Sequence, residues 1–350
     1  MTKILVTGTG GLIGSEAAKS WLEQGYDVIG IDNNSRRDFF GPKGDVTSVL
    51  SGLSQNLKYN HYSVDIRNRV EINSIFENEL PNVIVHCAAQ PSHDRAASIP
   101  FDDFDTNAVG TFNLLEATRK NCPDATFIHV STNKVYGDAP NFLKLNELET
   151  RYDYADPEYA DGISETMSID QCTHSLFGAS KVAADICAQE YGRYFGMNVG
   201  VFRGGCLTGP QHAGVELHGF LSYIIKCAVS GTPYTIFGYK GKQVRDQIHC
   251  ADVISAFEAF IQNPNPGAVY NIGGGKENSA SVLEVIKILD KNHGLKLDYT
   301  LSSENRVGDH MCYYSDMSKF KEDYPEWKIQ NSLEDIINEM VSAEKLRDIK

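Results

Sequence analysis

The stretch Ile4-Leu5-Val6-Thr7-Gly8-Thr9-Gly10-Gly11-Leu12-Ile13-Gly14 decides how the rest of the chain is read. Ile4 to Val6 with Thr7 make a short apolar, β-branched run that predicts a buried strand, and Ser15 to Gln24 predict a helix. Between them, Gly8 permits a tight turn, Gly11 lets backbone N–H groups approach a pyrophosphate, and Gly14 lets the helix pack close to the strand. An ordinary glycine turn would show the same residues. The context separates the two readings, because Tyr26 to Ile31 predict a second strand that ends in Asp32. That carboxylate follows the loop by about 20 residues, the distance at which it holds a ribose diol. A dinucleotide site follows, with the amides of Leu12 and Ile13 at the helix start and Asp32 and Asn33 at the ribose. The negative charge of Asp32 favours NAD over NADP, whereas Arg36 and Arg37 are the residues that would meet a 2′-phosphate.

Composition agrees with an α/β enzyme of two lobes. The chain has 350 residues, 41% hydrophobic and 22% charged, longer than a usual single domain. Its net charge of −14, with no long basic block, speaks against nucleic-acid binding. No run of 18 apolar residues occurs, and Met1-Thr2-Lys3 lead straight into the first strand, so neither a membrane span nor a signal peptide is expected. A cytoplasmic location follows from that expectation. The eight cysteines include no C-x-x-C pair and the ten histidines no H-E-x-x-H, so reduced thiols and no metal are expected.

Strand and helix then alternate. A polar excursion to about Leu57 precedes a strand over Lys58 to Val64, which ends at Asp65 and Ile66, placed for the adenine. Asn68 caps a helix to about Leu80. Val83 to Ala89 form an uninterrupted apolar strand, as burial on both faces requires. It delivers Ala88, Ala89 and Gln90 to the carboxyl edge of the sheet, where ligands bind in this architecture, and His93 lies in the loop beyond. Phe104 to Lys120 read as one helix carrying Asn107, placed to bond a neighbouring strand's backbone. Ala125 to Val130 lead to Ser131 and Thr132, whose hydroxyls at a strand end suit a sugar oxygen that exchanges a hydride. Residues 139 to 172 are an acidic, tyrosine-rich insertion. A long helix over Phe177 to Phe195 carries Lys181, and a sixth strand over Asn198 to Phe202 ends at Arg203. Residues 1–203 are therefore expected to form a doubly wound, Rossmann-type parallel sheet, and residues 204–350 a smaller α/β lobe with helices near 219–230, 251–262, 281–292 and 332–346, with room for some segments to cross between the two.

The glycine loop, the Ser131-Thr132 pair and Lys181 coincide with Ser131-Thr132-Asn133-Lys134-Val135-Tyr136-Gly137-Asp138, Gly110-Thr111-Phe112-Asn113-Leu114-Leu115-Glu116-Ala117, Val244-Arg245-Asp246 and Tyr270-Asn271-Ile272-Gly273-Gly274. Together they resemble the extended short-chain dehydrogenase/reductases that epimerise, dehydrate or decarboxylate nucleotide sugars, and within them the 2-epimerases of CDP-linked hexoses. The resemblance implies bound NAD, transient oxidation of a ring hydroxyl, and a CDP- or UDP-hexose as substrate. It implies that Thr132 bonds the reacting oxygen, that Lys181 binds the nicotinamide ribose, and that Arg245 and Arg306 grip the diphosphate. Lys134, Arg203 and the His212 to His218 segment are placed near the sugar or nucleotide. Packing of the two long helices into a seam, with Phe112, Leu115, Ala184 and Tyr191 contributing, implies a homodimer or tetramer. One position departs from the pattern. His174-Ser175-Leu176-Phe177-Gly178-Ala179-Ser180-Lys181 puts Phe177 where the family has a tyrosine base, and a phenyl ring exchanges no proton. Tyr136, His174, His93 and Lys181 itself are the candidates to take over that proton; an inactivated epimerase or a binding protein are the other readings.

Overall fold

The computed structural model describes residues 2–90, 92–211, 219–304 and 309–348. Within them the chain divides into two compact units, each assembled from three segments. The larger takes Met1–Val135, Ser175–Arg203 and Val253–Tyr270; the smaller takes Tyr136–His174, Gly204–Asp252 and Asn271–Lys350. A single cut at residue 203 therefore does not describe the molecule. The tyrosine-rich insertion belongs to the smaller unit, and the helix Cys250–Gln262 passes into the larger one.

The larger unit is built on a seven-stranded sheet. Its first five strands in sequence are β1 (Lys3–Thr7), β2 (Asp27–Ile31), β3 (Tyr59–Tyr62), β4 (Val83–His86) and β5 (Thr126–Thr132). The spatial order is β3-β2-β1-β4-β5, continued by Val199–Gly204 and Ala268–Ile272. Pairing is parallel between β1 and β2, β1 and β4, β2 and β3, and β4 and β5. The order reverses beside β1, where the glycine loop emerges, and such a reversal opens a crevice at the carboxyl ends of the strands. Strands of this kind are apolar along their length because helices cover both faces. Leu5, Val6, Ile84, Val85, Phe127 and Val201 are accordingly buried.

The structure differs from the sequence expectations in three places. The excursion after Asp32 contains two short helices, Ser35–Phe40 and Thr47–Leu53, and Leu53 is buried in the interior. The expected helix over Phe104 to Lys120 is a short helix Pro100–Phe104, one π-turn over Asp105–Val109, and a helix Gly110–Asn121. A π-turn inserts one extra residue per turn and re-aims the side chains around it, here Asn107. Ala268–Ile272 joins the large sheet as its edge, where Phe202 meets the rings of Tyr270, Phe257 and Phe260.

The smaller unit has its own core, in which Leu221, Ile224, Ile225, Val285, Leu289, Ile337 and Val341 pack together. Its main sheet orders Ser279–Ser281, Val244–His249 and Cys312–Tyr313, with Cys206–Thr208 pairing Val244–His249 as well. The helix Val282–His293 starts with a capping box between Ser281 and Glu284. Cys87, Cys122, Cys172, Cys187 and Cys312 are free thiols. Among the described residues, no helix is long and apolar enough to cross a membrane.

Candidate functional site

The glycine loop is shaped by contacts that leave no room for side chains. Gly8 has φ +72°, and a Cβ there would lie 2.8 Å from the Ala88 nitrogen. At Gly14 a Cβ would run into the Gly8 carbonyl oxygen, which is how closely helix Leu12–Glu23 approaches β1. Gly11 is the helix N-cap, and a Cβ there would meet only the Gly8 oxygen, at 3.3 Å. That open face is the cradle a pyrophosphate needs, and the amides of Leu12 and Ile13 lie at a helix start where no intrahelical acceptor exists.

Asp32 is held by the backbone on both oxygens. Oδ2 accepts from the Gly10 amide at 2.8 Å and Oδ1 from the Asn34 amide at 2.8 Å. Asn34 adopts a left-handed φ of +57° that turns the chain back. Asp32, Asn33, Asn34, Thr47, Leu50 and His61 line an open cavity of about 440 Å³ that begins at the carboxylate. A ribose diol fits there as a donor to the remaining lone pairs. Arg37 pairs with Asp45 at 3.6 Å, so it is not committed to a phosphate site. Asp65 is engaged by Arg67 at 2.8 Å and by the Asn33 side-chain Nδ2 at 3.2 Å, and Ile66 packs against Gly110.

Beneath the crevice runs a chain of hydrogen bonds whose proton positions can be deduced. Thr111 Oγ1 donates to the Asn107 carbonyl at 2.6 Å, so it can only accept from His86 Nε2, at 2.8 Å. His86 Nδ1 must then accept from Thr7 Oγ1 at 2.8 Å, and Thr7 in turn accepts from the Ala88 amide at 3.1 Å. His86 is thus a neutral imidazole, in keeping with burial that pushes it down to about 3. The ring of His129 lies 5.4 Å away, tilted by 37°, wholly buried, with neither ring nitrogen partnered among the described residues. Burial holds it, too, well below its ordinary value.

Asn107 was expected to bond a neighbouring strand, and its side chain holds the segment just after β4. Its Oδ1 accepts from the Gln90 amide at 2.9 Å, and its Nδ2 donates to Ser180 Oγ at 3.0 Å. Asp103, which the sequence reading passed over, ties the same group together. It accepts from Gln90 Nε2 at 2.6 Å and from Ser180 Oγ at 2.6 Å. Gln90 also bonds both backbone groups of Ser92, so the turn His93–Ala96 is fixed to the long helix Ser175–Phe195 through buried groups.

Lys181 is buried on that helix and its Nζ donates to the Val130 carbonyl at 3.0 Å. Desolvation lowers it to about 8, against the pull of Asp185. Ser131 gives its hydroxyl proton to Asp185 at 2.6 Å, whereas Thr132 is half-buried with its Oγ1 accepting from the Lys134 amide at 3.2 Å. Phe177 is 8% exposed, and its ring meets that of His93 edge-on at 6.3 Å between centroids. Ser175, which opens the helix at a left-handed φ of +60°, accepts from the Gly178 amide at 3.3 Å.

Other candidates are placed elsewhere. Arg203 was expected at the sugar, but its guanidinium is buried against Asp185 at 2.9 Å, a scaffold role. Tyr136 is fully buried in the smaller unit and donates to Asn271 Oδ1 at 2.7 Å, which removes it from the list of proton acceptors. His174 has Cys172 Sγ 3.8 Å from its ring. Arg245 bonds the Val244 carbonyl at 2.7 Å and faces Asp309 at 3.5 Å, and its neighbour Asp246 is a buried acceptor for the Ser315 amide. Arg306 and the segment 212–218 lie outside the described residues.

Comparison with known proteins accords with this geometry. Residues 4–273 match the NAD dependent epimerase/dehydratase family. CDP-paratose 2-epimerase of Salmonella typhi is 34% identical over 97% of this chain and 98% of its own. A dTDP-glucose 4,6-dehydratase of Escherichia coli is 31% identical over 95% of this chain and 90% of its own. Among solved structures, a tyrosine-to-phenylalanine mutant of UDP-glucuronic acid 4-epimerase from Bacillus cereus superposes with a TM-score of 0.80. It is 26% identical, covers all of both chains, and was crystallised with UDP-4-deoxy-4-fluoro-glucuronic acid and NAD. On the cradle at Gly8, Gly11 and Gly14, the fixed carboxylate of Asp32 and these matches, the chain belongs to the NAD-dependent epimerase/dehydratase family of the extended short-chain dehydrogenase/reductases.

Proposed function

We propose that the protein is a nucleotide-sugar epimerase, similar to CDP-paratose 2-epimerase, that inverts a ring carbon of a CDP- or UDP-linked hexose by transient oxidation and re-reduction. NAD accepts a hydride and returns it, so the cofactor ends each cycle unchanged. The observation that carries the reading is the position of Thr132 and Lys181 at the carboxyl end of the sheet that also bears the Gly8–Gly14 cradle. A half-buried hydroxyl and a cation suit a sugar oxygen and a ribose. In this reading Arg245 and Arg306 grip the diphosphate, since guanidinium groups match phosphate oxygens in pairs, and Lys134 is a substrate contact. Arg245 would then exchange its contact with Asp309 for the diphosphate.

Incubation with CDP- and UDP-hexoses in deuterated water tests it. Epimerisation by return of the same hydride leaves the carbon-bound hydrogens unexchanged; dehydration, the rival suggested by the dehydratase relatives, incorporates deuterium. A protein that binds the sugar unchanged is the reading favoured by Phe177 alone. Absence of any isomerised product from either nucleotide series sinks the epimerase proposal.

The same reading includes a cytoplasmic homodimer. Phe112 is 42% exposed on helix Gly110–Asn121, and Ile186, Tyr194 and Phe195 are exposed on the long helix beside it. Leu115, Ala184 and Tyr191, expected at the seam, are buried in the unit's own core, so the contact must come from the outer residues. Light scattering at micromolar concentration should give twice the monomer mass, and a monomer would remove this part.

A further inference from the structure

A phenylalanine at position 177 leaves the oxidation without the family's proton acceptor, and the structure narrows what can replace it. Lys181 Nζ is buried and bonded to Val130 O. His86 on β4 and His129 on β5 are buried as neutral rings. Tyr136 is spent on Asn271. His93 differs from all of these. Its side chain is 22% exposed, and its imidazole is the ring in contact with Phe177.

We infer that His93 is the base that accepts the proton of the sugar hydroxyl, standing in for the tyrosine that Phe177 replaces; this rests on the epimerase reading above. Two features of the structure support it. First, the turn that carries His93 is tied down by hydrogen bonds: Ser92 Oγ caps it at the Arg95 amide, Gln90 bonds Ser92 on both backbone groups, and Asp103 and Asn107 tie Gln90 to Ser180 on the helix of Phe177 and Lys181. A base must be positioned to within fractions of an ångström, and a buried network anchored at both ends does that. Second, Asp94 Oδ1 lies 3.4 Å from His93 Nδ1. This contact is long, as catalytic hydrogen bonds often are before substrate binds, and it selects the tautomer that leaves Nε2 free to accept. The charged groups on the turn and on the two helices packed against it are Asp94 and Arg95, Asp102 and Asp103 on helix Pro100–Phe104, and Lys181, Asp185, Glu190 and Arg193 on the long helix. Asp103 is occupied by Gln90 and Ser180, Asp102 by Arg67, and Asp185 by Arg203 and Ser131.

The step balances with residues and cofactor already named. The O–H bond of the ring hydroxyl breaks and its proton bonds to His93 Nε2. The pair of electrons in the adjacent C–H bond leaves as hydride to NAD, and C=O forms. Return of hydride to the opposite face and of the proton from the imidazolium restores both partners and leaves the carbon inverted.

His93→Gln and His93→Asn test this on the NAD-loaded protein with the nucleotide sugar that the wild type turns over. Expected are a fall in kcat of roughly 10²–10⁴-fold, unchanged KM and NAD content, and loss of the acid limb of the pH–rate profile. Adding Phe177→Tyr to His93→Gln should recover part of the lost turnover. A readout independent of turnover is the imidazole resonance assigned to His93 by these variants: its chemical shift should move when the nucleotide sugar binds. Wild-type turnover in His93→Gln, an unchanged acid limb, or a resonance indifferent to the sugar overturns the role of His93 while leaving the epimerase reading intact. A wild type that isomerises no nucleotide sugar sinks both.

Discussion

Two residues define what the cofactor site tolerates and what the chemistry uses. Gly14 is one. Any side chain there meets the Gly8 carbonyl, which is backbone and cannot swing away. Gly14→Ala should lower stability by roughly 1–3 kcal/mol, the usual penalty for overpacking, and should abolish NAD binding; a thermal melt with and without NAD reads both effects. Retention of a normal NAD-induced rise in Tm would show that the loop can open. Phe177 is the other. Phe177→Tyr adds one oxygen at nearly constant ring volume, so the fold should persist, and turnover should change by less than about tenfold if the proton already has an acceptor. Activation by 10²–10⁴-fold would instead mark the natural chain as an epimerase disabled at this position. The pH–rate profile of both proteins decides, and on its alkaline side activity should fall above about pH 8, where the Lys181 ammonium loses its proton.

At the scale of elements, the long helix Ser175–Phe195 is pinned by charge as well as by packing. Asp185 and Arg203 have side chains 1% and 6% exposed, and Ser131 adds its hydroxyl to the same carboxylate. Removing one partner of a buried pair strands the other, so Asp185→Asn should cost about 3–5 kcal/mol in urea unfolding; a loss below 1 kcal/mol would mean that water reaches Arg203 in the folded state. This helix also shows where sequence reading stops. The glycines at 8, 11 and 14 and the carboxylate at 32 were legible because a local backbone shape demands them. Asn68 was legible as a cap for the same reason, and its side chain accepts from the Glu71 amide. Asp103 and Asp185 were not, because their partners lie up to 77 residues away and an acid in an apolar helix has no local signature. The helices Ser35–Phe40 and Thr47–Leu53 read as a loop in the sequence because each is short and polar at its start and Gly41, Pro42 and Gly44 lie between them. Arg203, expected near the sugar or nucleotide, is held by Asp185, and Tyr136, a candidate proton acceptor in the sequence, by Asn271.

For the molecule as a whole, the buried histidines make stability depend on pH in a defined direction. An unfolded histidine takes up its proton near its ordinary value of 6.5, whereas His86 resists down to about 3 and His129 lies well below 6.5 as well. The unfolded chain therefore binds more protons below pH 6.5, and stability, fully present above that value, falls as pH drops towards 3. Each of the two contributes a slope of about 1.4 kcal/mol per pH unit. Melts between pH 7 and 5, above the range of most carboxylates, should show Tm falling with acid, and His86→Gln should flatten the slope by about one proton. A Tm independent of pH in that window would contradict the burial of both rings. The three-segment construction of the larger unit has a further consequence, for the chain as it is made. The strand Val199–Gly204 leaves the ribosome well before the strand Ala268–Ile272 that covers its edge. At roughly 5–20 residues per second the nascent sheet waits on the order of 3–13 s with Phe202 lacking the rings of Phe257, Phe260 and Tyr270. An apolar strand edge is a template for pairing with another chain. Ribosome-bound chains stalled between residues 204 and 268 should accordingly be the ones that recruit chaperones, and release from them should coincide with the emergence of Tyr270.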